Sequence, residues 1–144
     1  MSVLLSIRPT YVNAILSGQK RYEFRKSWPK RNGGSDEVFI YTTAPVCKVV
    51  ASFRTKSIVE GHPKKLWSRF RHSAGIESNA FFEYFGDRKI GYAIEIGDLR
   101  VFSSPLEPRS IIPDFVPPQS FSYVDGSIPE ACRQMPRRKP PSTQ

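Results

Sequence analysis

The chain has 144 residues, of which 39% are apolar and 12% aromatic; this is enough for one domain with a packed core and excludes wholesale disorder. No apolar run approaches the roughly 20 residues of a membrane-spanning helix. The net charge is +9, and it is concentrated: residues 1–31 hold seven basic residues and one acid, and residues 62–72 hold four basic residues and no acid. This distribution favours a polyanionic partner, nucleic acid in particular.

The few cysteines and histidines predict neither a metal nor a redox site. Cys47 and Cys132 are the two cysteines, and neither lies in a Cys-x-x-Cys pair. His62 and His72 lack the spacing of a helical ligand pair. We therefore expect no disulfide framework, no metal, no cofactor and a reducing, cytoplasmic environment. No membrane partner is expected either.

The first elements are a strand, a helix and a second strand. Residues 3–7 predict the strand, and the helix begins at Arg8-Pro9 because proline is tolerated at the first helical position. Gly18 is expected to end the helix in the left-handed conformation. Residues 21–25 alternate polar and aromatic side chains, which is typical of a strand. A flexible turn is expected at residues 33–35.

The middle of the chain predicts further strands and two more helices. Strands are expected at residues 37–43, 47–56 and 89–102. Helices are expected to begin at His62-Pro63 and at Ser78, the latter ending at Gly86. In the last strand Gly91 and Ala93 leave one face without bulky side chains, so that a helix or a ligand can approach it closely.

The C-terminal third is rich in proline. Residues 111–124 retain apolar and aromatic side chains, and we expect them to wrap the core in extended form. We place the single domain at residues 1–128 and a mobile, basic, proline-rich tail at residues 129–144. Such a tail could dock on a protein partner.

One motif carries a family resemblance. Gly18-Gln-Lys20-Arg-Tyr-Glu23-Phe-Arg25 fits the pattern GxKxxExR. It follows Leu4-Leu-Ser-Ile-Arg-Pro9, and together these segments resemble the signature of the ASCH domain family, which is related to the PUA fold. The resemblance implies an α+β fold: a small, mostly antiparallel, five-strand PUA-like β-barrel with about three short flanking helices and a cleft beside the motif.

The resemblance also implies functions. Members of the family are proposed to bind RNA, and some small members look like ribonucleases. One small group hydrolyses the amide of N4-acetylcytidine with the motif lysine, a threonine and a distal glutamate. Here the lysine matches Lys20, but Glu23 occupies the threonine position and no distal glutamate aligns.

The motif residues also suggest chemistry of their own. Lys20 could contact a phosphate or, if desolvated, act as a base or nucleophile. Glu23 and Arg25 lie on one strand face, about 7 Å apart along the strand, and could pair across a pocket floor. Glu23 should stay ionised among its basic neighbours and accept a hydrogen bond from an exocyclic amine. The alternative is an ordinary surface salt-bridge cluster of little energetic value.

Other residues extend the candidate site. Each has an alternative as a solvated charge or a core side chain. The candidates are Arg8, Lys64 and Lys65 as phosphate contacts, Trp28 as a base-stacking platform, and Tyr41 and Thr43 as pocket flanks. The sequence thus predicts a module that binds RNA or a modified nucleotide. The alternative is a metal-independent hydrolase, acting on a nucleobase amide or on RNA phosphodiesters, with Lys20 and Glu23 handling protons.

Overall fold

The computed structural model describes residues 2–28, 37–124 and 126–133 and the backbone of residues 137–138. The strands are β1 (Ser2–Ile7), β2 (Tyr22–Arg25), β3 (Glu37–Thr42), β4 (Lys48–Gly61), β5 (Gly91–Leu106), β6 (Phe121–Val124) and β7 (Arg137–Arg138). The helices are α1 (Pro9–Leu16), α2 (Pro63–Phe70), α3 (Ser78–Phe85) and α4 (Ser127–Arg133). The fold is therefore α+β, as expected.

The strands form one mixed sheet in the order β2-β5-β4-β3-β1-β6, and the short β7 also pairs with β5. β1 and β3 are parallel, and the other pairs are antiparallel. Among the described residues no ladder joins β2 to β6, so the sheet is open. The expected five-strand antiparallel barrel is therefore not formed. A parallel pair needs a crossover connection, and here α1 and β2 supply it between β1 and β3.

The helix boundaries follow the signals in the sequence. Pro9 is the first residue of α1, and Gly18 follows the helix with φ +84°. α2 begins at Pro63, where the backbone N–H of Lys64 donates to Nδ1 of His62 over 3.1 Å. Gly86 ends α3 with φ +60°. The three expected helices are confirmed, and α4 is an addition.

The core has two regions that bear on the motif. α1 packs its Val12 and Ile15 against the central strands. α2 and α3 bury an aromatic cluster on the other strands; its members are Phe24, Leu66, Phe70, Phe81, Phe85 and Ala93. A Cβ added at Gly91 would lie 2.5 Å from the Phe85 ring. A helix, α3, therefore packs on the face of β5 that was expected to carry only small side chains.

The helix α4 lies at and beyond residue 128, where the domain was expected to end. Ile128, Pro129 and Cys132 of α4 are buried, so packed chain continues past residue 128 to at least residue 133. The rest of the expected tail, apart from the backbone of 137–138, lies outside the described residues, as does the expected turn at 33–35. In the described part of the chain, no helix has the length and apolar composition that crossing a membrane requires.

Candidate functional site

Lys20 is buried where the end of α1 meets the connection between α2 and α3. The backbone N–H of Lys20 donates to Ala14 O over 3.0 Å. Its Nζ donates to Ala74 O over 2.8 Å, and the residue is 3% exposed. Gly75 has φ +63°, and a Cβ placed there would overlap the Lys20 side chain. Glycine at this position therefore allows the connection to cover Lys20.

Glu23 and Arg25 point to the same side of β2 and form an ion pair. Glu23 Oε2 lies 2.9 Å from Nη2 of Arg25, and Oε1 lies 3.6 Å from Nζ of Lys20. Oε1 also accepts from the Phe24 backbone N–H at 3.3 Å. Glu23 and Arg25 are 6% and 8% exposed. The cluster is therefore buried, in contrast to the surface salt-bridge cluster that was the alternative expectation.

Arg25 connects the motif to distant parts of the chain. Nη2 donates to Ser6 O of β1 over 2.8 Å, and Nη1 donates to Ser120 Oγ over 3.2 Å. Ser6 also holds this region, since its backbone N–H donates to Ser120 O at 3.0 Å and its Oγ donates to Pro118 O at 2.7 Å. The buried Nε of Arg25 has no hydrogen-bond partner among the described residues.

Burial and charge shift both titrating groups of the cluster. Burial lowers the pKa of Lys20 below its usual 10.5, with Arg25 acting in the same sense and Glu23 opposing it. Burial alone would raise the pKa of Glu23, but Arg25 and Lys20, together with hydrogen bonds from Arg25 and the Phe24 amide, hold it below its usual 4.5. The carboxyl is therefore an ionised hydrogen-bond acceptor at neutral pH.

The cluster lies beside a cleft of about 740 Å³. Its lining is partly cationic and partly aromatic. The lining residues are Ser6, Ile7, Arg8, Tyr11, Lys20, Glu23, Phe24, Arg25, Lys26, Thr43, Ile76, Ala80, Phe81, Glu83, Tyr84, Pro117, Pro118 and Gln119. The volume falls within the roughly 300–1,000 Å³ of typical small-ligand sites.

The predicted site residues separate into three groups. Arg8, Lys20, Glu23, Arg25 and Thr43 line the cleft. Lys64 and Lys65 are exposed on α2 and do not line it.

The third group is buried elsewhere. Trp28 is 6% exposed and packs 6.0 Å from Phe121, and Tyr41 is 4% exposed and packs 5.5 Å from Phe115. Burial and the Cys47 thiol raise the pKa of Tyr41 to about 12. Neither ring offers a free face to the cleft, so the structure corrects the stacking role of Trp28 and the pocket-flank role of Tyr41. Apolar packing is the reason in both cases.

The structure adds residues to the cleft that the sequence analysis did not select. Tyr84 of α3 accepts from the Lys26 backbone N–H at 3.1 Å, and Lys26 Nζ lies 4.8 Å from its ring centroid. Tyr11 faces Lys20 Nζ at 5.6 Å. Tyr11 falls at helical spacing with the apolar residues Val12 and Ile15, and this spacing does not distinguish a cleft tyrosine from a core one.

Among the described residues, no group of three or more histidine, cysteine, aspartate or glutamate side chains could hold a metal ion.

A family model and a curated relative both indicate one family. The model of the ASCH domain matches residues 5–99. The chain is 30% identical over 127 residues to an "ASCH domain-containing ribonuclease" of Zymomonas mobilis, covering 84% of this chain and 82% of that protein.

Solved structures give the same result. The crystal structure of ASCH from Zymomonas mobilis matches with a TM-score of 0.84 at 27% identity, covering 94% of this chain and 96% of that one. The N-terminal domain of Staphylothermus marinus McrB has a TM-score of 0.61 at 12% identity, over 92% of both chains. This second likeness concerns the fold alone.

Proposed function

Because the chain belongs to the ASCH domain family, whose model matches residues 5–99, we propose that it binds RNA in the cleft beside its Lys20-Glu23-Arg25 cluster. The observation that carries the proposal is an ordered guanidinium that lines the cleft. Arg25 is 8% exposed, lines the cleft and is held in place by hydrogen bonds to Glu23, Ser6 and Ser120. A phosphate or base oxygen is the natural acceptor for such a group.

The rest of the cleft suits a nucleotide. Arg8 and Lys26 are exposed cations that line it and can approach a phosphate. Tyr11 and Tyr84 supply aromatic surface, on which an unpaired base can stack. Glu23 is an ionised acceptor for an exocyclic amine, with lone pairs left over from its existing bonds. Cationic, aromatic and acceptor groups thus converge in one concave site.

A second candidate function is metal-independent cleavage of RNA. The observation that favours it is the 30% identical relative described as a ribonuclease, which this chain matches over 84% of its length. In such a reaction the 2′-oxygen attacks the adjacent phosphorus, its proton passes to a base, and the 5′-oxygen leaves with a proton. Lys20 and Glu23 would handle the protons, and Arg25 would stabilise charge on the phosphorus oxygens. An enzyme of this kind was expected to act on a nucleobase amide or on an RNA phosphodiester, and the relative described as a ribonuclease favours the phosphodiester.

Binding and cleavage are measured in one experiment. The purified chain is incubated with a short single-stranded RNA at low and at moderate salt, and each sample is examined for binding and for RNA length. Arg8→Gln and Lys26→Gln change exposed cleft residues, thermal unfolding verifies that each variant is folded, and Arg54→Gln is the matched control outside the cleft. We expect both cleft variants to weaken binding several-fold and the control to leave it unchanged.

Lys20→Ala separates the two candidates. A binding protein leaves the RNA intact and loses affinity in this variant. An RNA-cleaving enzyme shortens the RNA and loses turnover in Lys20→Ala, while Arg8→Gln retains some. Absence of RNA binding by the unaltered chain at low salt would refute both candidates.

A further inference from the structure

We infer that the chain binds single-stranded RNA longer than one nucleotide across two adjoining surfaces. One nucleotide enters the cleft, and the phosphates of neighbouring nucleotides contact a basic ridge formed by Arg21, Arg69 and Arg71. The inference rests on the proposed function and extends it from a nucleotide site to a polynucleotide track.

The ridge adjoins the cleft where residues 20–21 bond to residues 73–74. Lys20 and Arg21 are consecutive, and they bond to the consecutive residues Ala74 and Ser73: Lys20 Nζ donates to Ala74 O at 2.8 Å, and Arg21 N donates to Ser73 O at 2.9 Å. Yet Lys20 is 3% exposed and lines the cleft, whereas Arg21 is exposed. An RNA strand that leaves the cleft across residues 20–21 meets Arg21 directly.

The other two arginines lie beside Arg21. Arg71 begins the short 3-10 turn Arg71–Ser73, whose last carbonyl accepts from Arg21. Tyr22 follows Arg21 and packs 4.2 Å from the ring of Phe70, and Arg69 Cζ lies 5.0 Å from the same ring. Arg21 and Arg69 therefore both lie close to this aromatic pair, and Arg71 is the residue that follows Phe70.

The ridge is preorganised and carries uncompensated positive charge. The Arg21 main chain is fixed on both sides, because its carbonyl also accepts from Ile96 N at 3.0 Å. With respect to the other described residues, none of the three ridge arginines forms an ion pair. Glu95, which contributes to the raised pKa of Tyr22, accepts from Ser57 Oγ at 2.8 Å and lies 3.8 Å from Lys56 Nζ. Arginines that form no ion pair within the protein are free to bind the phosphates of a polyanion.

Lys65 extends the ridge along α2. It lies four residues before Arg69 and is exposed like Arg69; this spacing places the two side chains on one helix face, about 6 Å apart along the axis. A single strand can follow such a row of cations and still present an unpaired base to the cleft. A duplex cannot, because its bases are held inside the helix.

The test compares charge-matched triple variants of the full chain. One removes the ridge (Arg21→Gln, Arg69→Gln, Arg71→Gln), and the control removes three exposed arginines elsewhere (Arg54→Gln, Arg109→Gln, Arg133→Gln). The probes are a uridine dinucleotide and an oligouridylate of about ten nucleotides. Affinity for each is measured from about 50 to 200 mM salt, and thermal unfolding verifies that every variant is folded.

We expect the ridge variant to lose affinity for the oligouridylate but not for the dinucleotide. Each phosphate contact with a single strand contributes about 0.7 to the slope of log affinity against log salt concentration, so losing three contacts lowers that slope by about 2. Between about 50 and 200 mM salt, the affinity of the ridge variant therefore falls about 16-fold less than the affinity of the unaltered chain. The control variant should keep the original slope. Equal slopes for the ridge and control variants would overturn the inference and leave the cleft proposal intact. Failure of the unaltered chain to bind either probe would overturn both.

Discussion

Replacing Glu23 by glutamine tests whether charge holds the buried cluster together. The carboxylate lies 2.9 Å from Arg25 Nη2 and 3.6 Å from Lys20 Nζ, and all three residues are less than 10% exposed. Removing one partner of a buried ion pair costs about 3–5 kcal/mol, because the remaining charge is left uncompensated. Since the glutamine oxygen can still accept from the Phe24 amide, we expect about 3 kcal/mol, equivalent to a fall of about 10 °C in Tm.

The pH dependence of this loss has a definite sign. Burial already holds the pKa of Lys20 below 10.5, and Glu23 opposes that shift. In Glu23→Gln the pKa of Lys20 falls further. Between the folded and unfolded pKa values the unfolded chain binds more protons, so stability rises with pH in that window. The deficit of the variant should therefore shrink as the pH approaches 10.5.

Glu23 gives the unaltered chain an acid limb of the same sign, at lower pH. Because the folded pKa of Glu23 lies below its usual 4.5, the stabilisation from this carboxylate is complete above the unfolded value. It is lost as the pH falls through the lower folded value.

The assay is urea unfolding at about pH 7 and about pH 10, because the charge argument predicts a smaller deficit at the higher pH. Glu83→Gln changes an exposed glutamate of the same cleft and should stay within about 0.5 kcal/mol of the unaltered chain. Adding Lys20→Met to Glu23→Gln should recover part of the loss, because one uncompensated cation is removed. A Glu23→Gln variant as stable as the unaltered chain, or equally destabilised at both pH values, would refute the charge argument.

Three further predictions concern single positions. Gly75→Ala should destabilise the fold by about 1–3 kcal/mol more than Gly86→Ala in urea unfolding, because both residues have positive φ but only Gly75 abuts Lys20; equal losses would contradict this. His62→Ala should cost about 1 kcal/mol through loss of the α2 cap, whereas His62→Asn should retain most of it. Trp28→Phe should leave RNA affinity unchanged while lowering Tm, and an affinity loss greater than the Tm effect explains would restore a stacking role.

Local signals were sufficient to predict most of the helices and the motif strand. Pro9, Gly18, Pro63 and Gly86 mark helix ends through their own backbone preferences, and these ends are confirmed. The alternation at residues 21–25 placed Glu23 and Arg25 on one face, and their ion pair is confirmed at 2.9 Å.

Long-range pairing was not predictable from the same signals. The parallel register of β1 and β3 depends on a crossover that leaves no period in the sequence, so the closed antiparallel barrel was wrong. Lys20 looked like a surface cation, but Ala74, 54 residues later, buries and bonds it. The alternation of apolar and polar residues indicates that a side chain is covered, but it does not indicate which distant segment covers it. Trp28 and Tyr41 are further examples, because the rings that cover them belong to Phe121 and Phe115.

The Arg25–Ser120 contact has a consequence for where this domain can be cut. The family model ends at residue 99, but Ser120 lies 95 residues beyond Arg25 in the chain and holds its guanidinium. A fragment ending at residue 99 would lose β6, which pairs along β1, and would leave both a buried cation and a bare strand edge. Exposed edges promote aggregation. We therefore expect truncation libraries and fusion junctions to succeed only when they spare the segment through residue 133, beyond the residues that match the family model.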